Sequence, residues 1–229
     1  MSAPSQPVWI ALGQAGRISG LLQVPSRALG CYVLAHGAGA GMDHPFLESM
    51  ATELAERDVA TLRFQFPFME RGSRRPDPPG LAQEAVRAAV EAASELVPGL
   101  PLIAGGRSFG GRMSSQAQAS RALPGVVGLA FLGFPLHPAK RPSVQRAEHL
   151  SEVNVPMLFV QGTRDELANL ADLRVVCSRL GERATLHLIE DADHAFHVRA
   201  RSGRTDQEVI ADIASVFAAW ARALVGEAR

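Results

Sequence analysis

The stretch "PLIAGGRSFGGRMSS", residues 101–115, decides the fold of this 229-residue chain. An apolar run leads into two glycines, a lone serine follows, and two further glycines precede a helix-like segment. Gly106 to Gly110 match the pattern G-x-S-x-G, in which a serine occupies a sharp turn between a strand and a helix. Bulky side chains two residues before or after the serine would collide with neighbouring elements, so glycine is needed there. The stretch therefore predicts a strand, a nucleophile elbow at Ser108 and a helix.

Two phosphate-binding interpretations of the glycines are excluded by residue identity. A phosphate loop that begins at Gly106 needs lysine followed by serine or threonine, where the chain has Arg112 and Met113. The stretch "GAGAGM", residues 37–42, lacks the third glycine of a dinucleotide-binding fingerprint because Met42 stands at that position. Neither glycine-rich turn therefore predicts a nucleotide cofactor, and none is expected.

Short apolar strands alternate with helical patterns on both sides of this stretch. Strands are predicted over residues 8–12, 16–25, 30–37, 59–66, 100–106, 125–133, 155–162 and 184–190, and helices over 45–57, 80–97, 110–121, 169–180 and 206–224. The first two strands are expected to pair antiparallel, and Asp206 is expected to cap the last helix. The alternation predicts a single α/β domain over residues 8–225, after a flexible terminus at 1–7. Its sheet is expected to be mostly parallel, with helices on both faces.

Composition and charge restrict the class of partner. Lys+Arg and Asp+Glu both number 23, so the net charge near zero gives no electrostatic reason to expect a nucleic acid or an anionic membrane as partner. The N-terminus has no pattern of a signal peptide, and no run approaches 18 uninterrupted apolar residues. Cys31 and Cys177 lie in apolar contexts and are expected to be buried free thiols. We expect a cytoplasmic protein with a small-molecule partner; its oligomeric state is not predicted.

A serine hydroxyl needs a base to become a nucleophile, and the base needs a carboxylate that orients it. In an architecture with this serine turn, the order along the chain is serine, acid, histidine. Asp165 follows the predicted strand at 155–162, and His194 follows the one at 184–190. The carboxyl ends of parallel strands are where open α/β sheets place their sites. The sequence thus predicts Ser108, Asp165 and His194 as a catalytic triad.

Other residues compete for these roles. Glu166 is the alternative acid and His197 the alternative base, whereas His187 lies inside a predicted strand and is expected to be structural. His194 and His197 form an H-x-x-H pair, but no thiol cluster is near them in the sequence. No metal site is therefore predicted.

Two backbone N–H groups are expected to stabilise the oxyanion that forms during acyl transfer. One belongs to Phe109, directly after the serine, where the positive end of the following helix also points. The other belongs to the turn "AHGAGAG", residues 35–41, with Ala38 as the expected donor and Gly37 or Gly39 as alternatives. His36 is expected to brace this turn rather than to act as a base.

Four elements occur in the order typical of the α/β-hydrolase fold: "HGAG", "GRSFG", "GTRD" and "DADHAF". The chain resembles that fold over roughly residues 16–225. The stretches "RFQFPFMERG", "GGRSFGGRMSS" and "LFVQGTRDEL" resemble more narrowly a dienelactone-hydrolase-like branch. That branch includes the testis-expressed protein thirty and a subunit of a nonspecific-lethal chromatin complex. The resemblance implies a serine hydrolase core. Dienelactone hydrolases use cysteine where this chain has Ser108, so their lactone substrate is not implied.

These observations predict a carboxylesterase-like serine hydrolase that acts on a small ester or related acyl substrate. Residues 134–154, where related enzymes often insert a lid domain, have room only for a loop and a short helix. An open, shallow site is therefore expected. Seven basic residues are expected near its rim: Arg71, Arg74, Arg75, Arg107, Arg112, Lys140 and Arg141. They suggest an anionic substrate or simply a solvated surface. A catalytically silent scaffold and an acyl transferase or perhydrolase are the alternative functions.

Overall fold

In the computed structural model, residues 3–13 and 16–227 are described, and within them eight strands form one sheet. The strands are β1 (Gln6–Ala11), β2 (Arg17–Gln23), β3 (Gly30–Ala35), β4 (Val59–Phe64), β5 (Leu102–Arg107), β6 (Val126–Leu132), β7 (Met157–Gly162) and β8 (Ala184–Ile189). Their order across the sheet is β1-β2-β4-β3-β5-β6-β7-β8. The hairpin β1–β2 and the pair β2–β4 are antiparallel, and the remaining pairs are parallel. The predicted mostly parallel sheet is confirmed.

Helices cover both faces of the sheet, as the alternating pattern predicted. They are α1 (Pro45–Ala55), α2 (Pro67–Glu70), α3 (Pro79–Leu96), α4 (Phe109–Ser120), α5 (Leu170–Leu180) and α6 (Asp206–Glu227). One apolar core contains residues of α3, α4 and α5, and a second, on the opposite face, contains residues of α1 and α6. Central strands such as β3 and β4 are therefore buried at every position, which explains their uninterrupted apolar sequences.

Helix α6 is long and apolar enough to cross a membrane, judged by length and composition over residues 206–226. In this fold Val209, Ile213 and Phe217 of that helix are buried in the second core. A core helix and a membrane span share the same sequence pattern, so the pattern alone does not identify either.

The sheet and the last helix extend beyond the predicted domain limits of residues 8 and 225. Strand β1 begins at Gln6, which lies opposite Leu22 of β2, so the ladder includes two residues of the predicted terminus. Helix α6 runs to Glu227. The segment between β4 and α3 contains the short helix α2, where the carboxylate of Asp77 accepts the Phe68 N–H at 2.8 Å.

The prediction that Asp206 caps the last helix is wrong. The Thr205 hydroxyl accepts the Glu208 N–H at 3.2 Å, and the Glu208 carboxylate accepts the Thr205 N–H at 2.7 Å. This reciprocal pair is a capping box, which satisfies two N–H groups at once. The carboxylate of Asp206 instead accepts the Val198 N–H at 3.0 Å and contacts the ring of His197 at 2.8 Å. Asp206 therefore ties the chain before α6 to the start of that helix.

The strand order places the loops after β3 and β5 side by side. From β3 the chain proceeds to β4 on one side of it, while β5 lies on the other, so the direction of winding changes between β3 and β5. Such a switch point opens a crevice at the carboxyl ends of the strands. The two loops approach closely there, since a Cβ added to Gly37 would lie 3.9 Å from the Cβ of Ser108.

Candidate active site

Ser108 occupies a sharp turn between strand β5 and helix α4. Its backbone has φ 51° and ψ −112°, a left-handed conformation that residues other than glycine rarely adopt. The flanking glycines make the turn possible, because both face the backbone of Ala35 in the neighbouring strand. A Cβ on Gly106 would lie 2.2 Å from the Ala35 carbonyl oxygen, and a Cβ on Gly110 would lie 2.6 Å from it. The predicted need for glycine at both positions is a consequence of this close packing.

The ring of His194 lies between Ser108 and Asp165. Its Nε2 is 2.8 Å from Ser108 Oγ, and its Nδ1 is 2.7 Å from Asp165 Oδ2. An ionised carboxylate only accepts hydrogen bonds, so Nδ1 carries the ring proton and Nε2 is left to accept the serine hydroxyl. The Asp165 side chain is 1% exposed and that of His194 is 24% exposed. The three side chains that were predicted from the sequence thus meet in one hydrogen-bonded row, which reaches the surface at its serine end.

The carboxylate of Asp165 is held at both oxygens. Its Oδ1 accepts the Leu167 N–H at 2.7 Å, and its Oδ2 accepts from the side-chain amide of Gln161 as well as from His194. The carbonyl oxygen of that amide accepts the Phe134 N–H at 2.9 Å, which fixes the orientation of the amide. Gln161 is fully buried, and sequence reasoning missed it. Its signal was a single polar residue near the end of the otherwise apolar strand β7.

A tight turn positions His194 above the end of β6. The carboxylate of Asp193 accepts the N–H groups of Ala195 at 2.8 Å and His197 at 3.0 Å, which fixes the backbone around the histidine. Gly133 has φ 71°, a conformation that favours glycine, and its Cα lies against the imidazole, since a Cβ there would be in ordinary contact with two ring atoms of His194 at 3.5 Å. The ring is therefore positioned by the turn that carries it and lies directly over Gly133.

The alternative candidates lie elsewhere. Glu166 is exposed and, within the described chain, its carboxylate makes no hydrogen bond. His197 pairs with Asp206 at the surface, and this hydrogen bond raises the pKa of the imidazole. His187 lies in the edge strand β8, as predicted. The H-x-x-H pair diverges, because His194 contacts Asp165 and His197 contacts Asp206. Residues 3–13 and 16–227 contain no cluster of three or more metal-ligating His, Cys, Asp or Glu side chains.

The backbone N–H groups that were predicted to hold an oxyanion have no acceptor among the residues that the structure describes. The Phe109 N–H, at the first residue of α4, and the Ala38 N–H donate to no acceptor within the part of the chain that is described. The same is true of Gly37 and Gly39, so the alternatives in this turn stay open. Donors of this kind, next to the serine, are available to a ligand.

His36 braces the turn after β3 from below. Its Nδ1 lies 2.8 Å from the carbonyl oxygen of Gly37, and its Nε2 accepts the Phe66 N–H at 3.0 Å. Both partners are satisfied only by the neutral ring protonated at Nδ1. Burial lowers the pKa of His36 to about 4, which also favours that form. His36 is therefore fixed between two loops, and no described contact joins its ring to Ser108.

The basic residues expected near the rim fall into different environments. Arg74, Arg75, Lys140 and Arg141 are exposed on loops, and Arg71 forms an ion pair with Asp77. Arg107 lies over the ring of Phe46 at 5.1 Å, and Arg112 lies over the ring of Phe109 at 6.0 Å. Between β6 and β7 the chain has only loops and a 3-10 helix, Gln145–Glu152, and no inserted lid domain.

Residues 29–222 match the family model described as the alpha/beta hydrolase domain, so the chain belongs to the α/β-hydrolase family. Three solved structures have the same fold. A dienelactone hydrolase from Anabaena variabilis is 21% identical, with a TM-score of 0.77 over 96% of this chain and 97% of that one. A serine hydrolase without a lid from Xanthomonas campestris is 20% identical, with a TM-score of 0.69 over 92% and 93%. Est1E from Butyrivibrio proteoclasticus with bound ferulic acid is 16% identical, with a TM-score of 0.76 over 94% and 99%.

These similarities establish the superfamily and the fold. The narrower resemblance to the testis-expressed protein thirty and the nonspecific-lethal subunit stays a prediction. At identities of this level the solved structures do not fix a substrate, because one fold supports many chemistries.

Proposed function

We propose that the chain is a serine hydrolase that cleaves small esters or related acyl compounds. The supporting observation is the row of hydrogen bonds from Ser108 through His194 to Asp165, at 2.8 Å and 2.7 Å. A serine with an adjacent, correctly protonated imidazole is the arrangement that acyl transfer requires. The protein is expected to act in the cytoplasm on a small-molecule substrate, without a cofactor and without a nucleic-acid or membrane partner.

The reaction follows from the direction of these hydrogen bonds. His194 Nε2 takes the hydroxyl proton as Ser108 Oγ attacks the carbonyl carbon, and Asp165 stabilises the ring that is now charged. The N–H groups of Phe109 and Ala38 stabilise the negative oxygen of the tetrahedral intermediate. The intermediate collapses to an acyl-enzyme, and the departing alcohol receives the proton from His194. Water then attacks the acyl carbon, again with His194 as base, and releases the acid.

The lack of a lid favours short or polar acyl groups. A long alkyl chain gains binding energy mainly by leaving water, at roughly 25 cal/mol per Å² of apolar surface. The segment between β6 and β7 supplies only loops and a 3-10 helix that could cover such a chain. Long-chain lipids are therefore expected to be poor substrates.

Steady-state assays on p-nitrophenyl esters of increasing chain length test this function. We expect turnover that declines with chain length, and we expect Ser108→Ala to abolish it while its circular dichroism spectrum matches the wild type. Ser26→Ala, at an exposed serine on a loop, is the matched control and should retain full turnover. Full esterase activity in Ser108→Ala would contradict the proposal, and so would the absence of turnover on a broad panel of esters, lactones and amides.

A further inference from the structure

Arg112 lies one helical turn from the proposed nucleophile, and no carboxylate of residues 3–13 or 16–227 forms an ion pair with it. Its backbone N–H donates to the Ser108 carbonyl oxygen at 3.1 Å, within the first turn of α4. Helical side chains point back toward the helix N-terminus, which directs this guanidinium toward the serine end. The guanidinium carbon lies 6.0 Å from the centre of the Phe109 ring. Among the described residues Arg112 forms no ion pair, and its Nε is buried with no hydrogen-bond partner.

The neighbouring 3-10 helix, Gln145–Glu152, brings two further basic side chains to Arg112. Burial is the main cause of the lowered pKa of Arg112, and the positive charge of Arg146 lowers it further. His149 is affected in the same way, since burial and the charge of Arg112 lower its pKa to about 4. The His149 ring therefore stays neutral and contacts Ser115 Oγ at 2.8 Å. We call Arg112, Arg146 and His149 the basic cluster.

Two other arginines that were expected near the rim have acidic neighbours that offset their charge. Arg71 is paired with Asp77. Burial lowers the pKa of Arg107, but the carboxylates of Asp193 and Asp165 act in the opposite direction. Among the described residues no carboxylate opposes burial in this way at Arg112, where the charged neighbour is another arginine. Two half-buried guanidinium groups that have no ion pair among the described residues lower the stability of the fold unless a ligand supplies the opposite charge. Groups that reduce stability in this way are expected at functional sites.

We propose that Arg112 and Arg146 bind an anionic group of the substrate, a carboxylate or a phosphate, while its carbonyl carbon lies at Ser108. The ring of Phe109 would lie under the part of the substrate that joins its anionic group to its carbonyl carbon. The neutral His149 holds the 3-10 helix against α4 through Ser115, which keeps Arg146 close to Arg112. Guanidinium groups suit this task because their planar donors match oxyanions in pairs. This inference rests on the proposed hydrolase function and assigns its substrate class.

A matched pair of esters tests the specificity. p-Nitrophenyl butyrate is neutral, whereas the p-nitrophenyl monoester of glutaric acid carries a terminal carboxylate at similar length. The readout is the ratio of kcat/KM for the anionic ester to kcat/KM for the neutral one. A charge-assisted contact predicts that Arg112→Met and Arg146→Met each lower this ratio at least about tenfold. Arg146→Met serves as the second variant, because Arg112 packs beside the serine turn and its loss could disturb folding.

Arg174→Met is the control for loss of one positive charge, since Arg174 is exposed on α5, outside the basic cluster. It should leave the ratio within about twofold, given that surface charges act weakly at a distance. An unchanged ratio in both cluster variants, or an equal fall in Arg174→Met, would overturn the carboxylate form of the proposal.

Binding to Ser108→Ala separates this inference from the proposed function. Calorimetric titration of that variant with glutarate and with inorganic phosphate needs no turnover, and it distinguishes the two anions. Saturable binding of either anion, lost in the double variant with Arg112→Met, would support the subsite even if no ester were hydrolysed. The subsite would be refuted if Ser108→Ala bound neither anion and the wild type hydrolysed neutral esters as well as anionic esters. The proposed hydrolase function would then stand without the subsite.

Discussion

Gln161 donates a hydrogen bond from its buried side-chain amide to Asp165 Oδ2, the oxygen that also accepts from His194. Because the other end of the amide accepts the Phe134 N–H, the amide cannot rotate without losing both bonds. Gln161 is thus a positioning residue, which acts on the histidine through the carboxylate. Its effect should appear in the pH dependence of turnover, which a purely structural residue would not alter.

We expect Gln161→Glu to move the acidic limb of the kcat/KM profile to higher pH by about one unit or more. A second buried carboxylate beside Asp165 disfavours ionisation of the pair, and its negative charge favours the protonated form of His194. The base is then unavailable until a higher pH is reached. The measurement is kcat/KM on a neutral ester across pH 5 to 9. A profile that keeps its midpoint while its height falls would show that Gln161 only supports the fold.

The glycines in the two turns beside Ser108 differ in the room that each leaves for a Cβ atom. The stabilities of alanine variants measure this difference. Gly110→Ala would place a Cβ 2.6 Å from the Ala35 carbonyl oxygen, whereas Gly39→Ala would place one in open space. We expect Gly110→Ala to lower the free energy of unfolding by about 3 kcal/mol or to prevent folding. Gly39→Ala should change it by less than about 0.5 kcal/mol. Urea denaturation of both variants measures these free energies of unfolding. Equal stabilities would contradict the packing described for Gly110.

His36 should make the fold sensitive to acid. Its pKa is about 4 in the folded protein because of burial, against an ordinary value near 6.5. Between these values the unfolded chain binds a proton that the folded protein does not, so stability falls as pH decreases from about 6.5 toward 4. The loss from this residue alone is about 3 kcal/mol.

Replacement of His36 by glutamine tests this contribution, since an amide supplies a donor and an acceptor but does not titrate. The free energy of unfolding of His36→Gln should fall less steeply with decreasing pH than that of the wild type. Urea titrations at pH 7 and pH 4.5 give the comparison. Two parallel dependences on pH would show that His36 is not the source.

The start of α6 offers a test of the corrected cap. Thr205→Ala removes the hydroxyl that accepts the Glu208 N–H and should cost about 1 kcal/mol of stability. Thr205→Ser keeps a capping hydroxyl and should leave the stability within about 0.5 kcal/mol of the wild type. If both variants unfold at the same denaturant concentration as the wild type, the capping box does not stabilise the helix.

Local patterns were enough to predict the main elements of the fold. The continuous apolar run of β3, and that of β7 up to Gln161, follow from burial on both faces of the sheet. The amphipathic repeat of α3 follows from burial on one face of the helix. Helix ends were less predictable, because capping depends on competition among neighbouring side chains. At α6 the sequence offers both Thr205 and Asp206, and only the contact of Asp206 with His197 shows why the threonine is the cap.

The site residues were predictable where a sequence motif or the order of residues along the chain restricts which residue can fill a role. Ser108 followed from the glycines, and Asp165 and His194 from their places after two strands. Arg112 was among the basic residues expected near the rim, but Gln161 and the other two members of the basic cluster were not predicted. Strand periodicity treats Gln161 as a core residue, and Arg146 and His149 meet α4 only through contacts between segments that are distant in sequence. Arg146 in particular lies in a 3-10 helix whose approach to α4 no local pattern indicates.

A fluorophosphonate probe tests the central claim most directly, because it reacts covalently with a serine only where a neighbouring base has activated it. Tryptic mapping of the labelled wild type should place the adduct on the peptide that contains Ser108, and His194→Ala should label far more slowly. A wild-type protein that is folded and remains unlabelled, or an adduct at any other serine, would contradict the account.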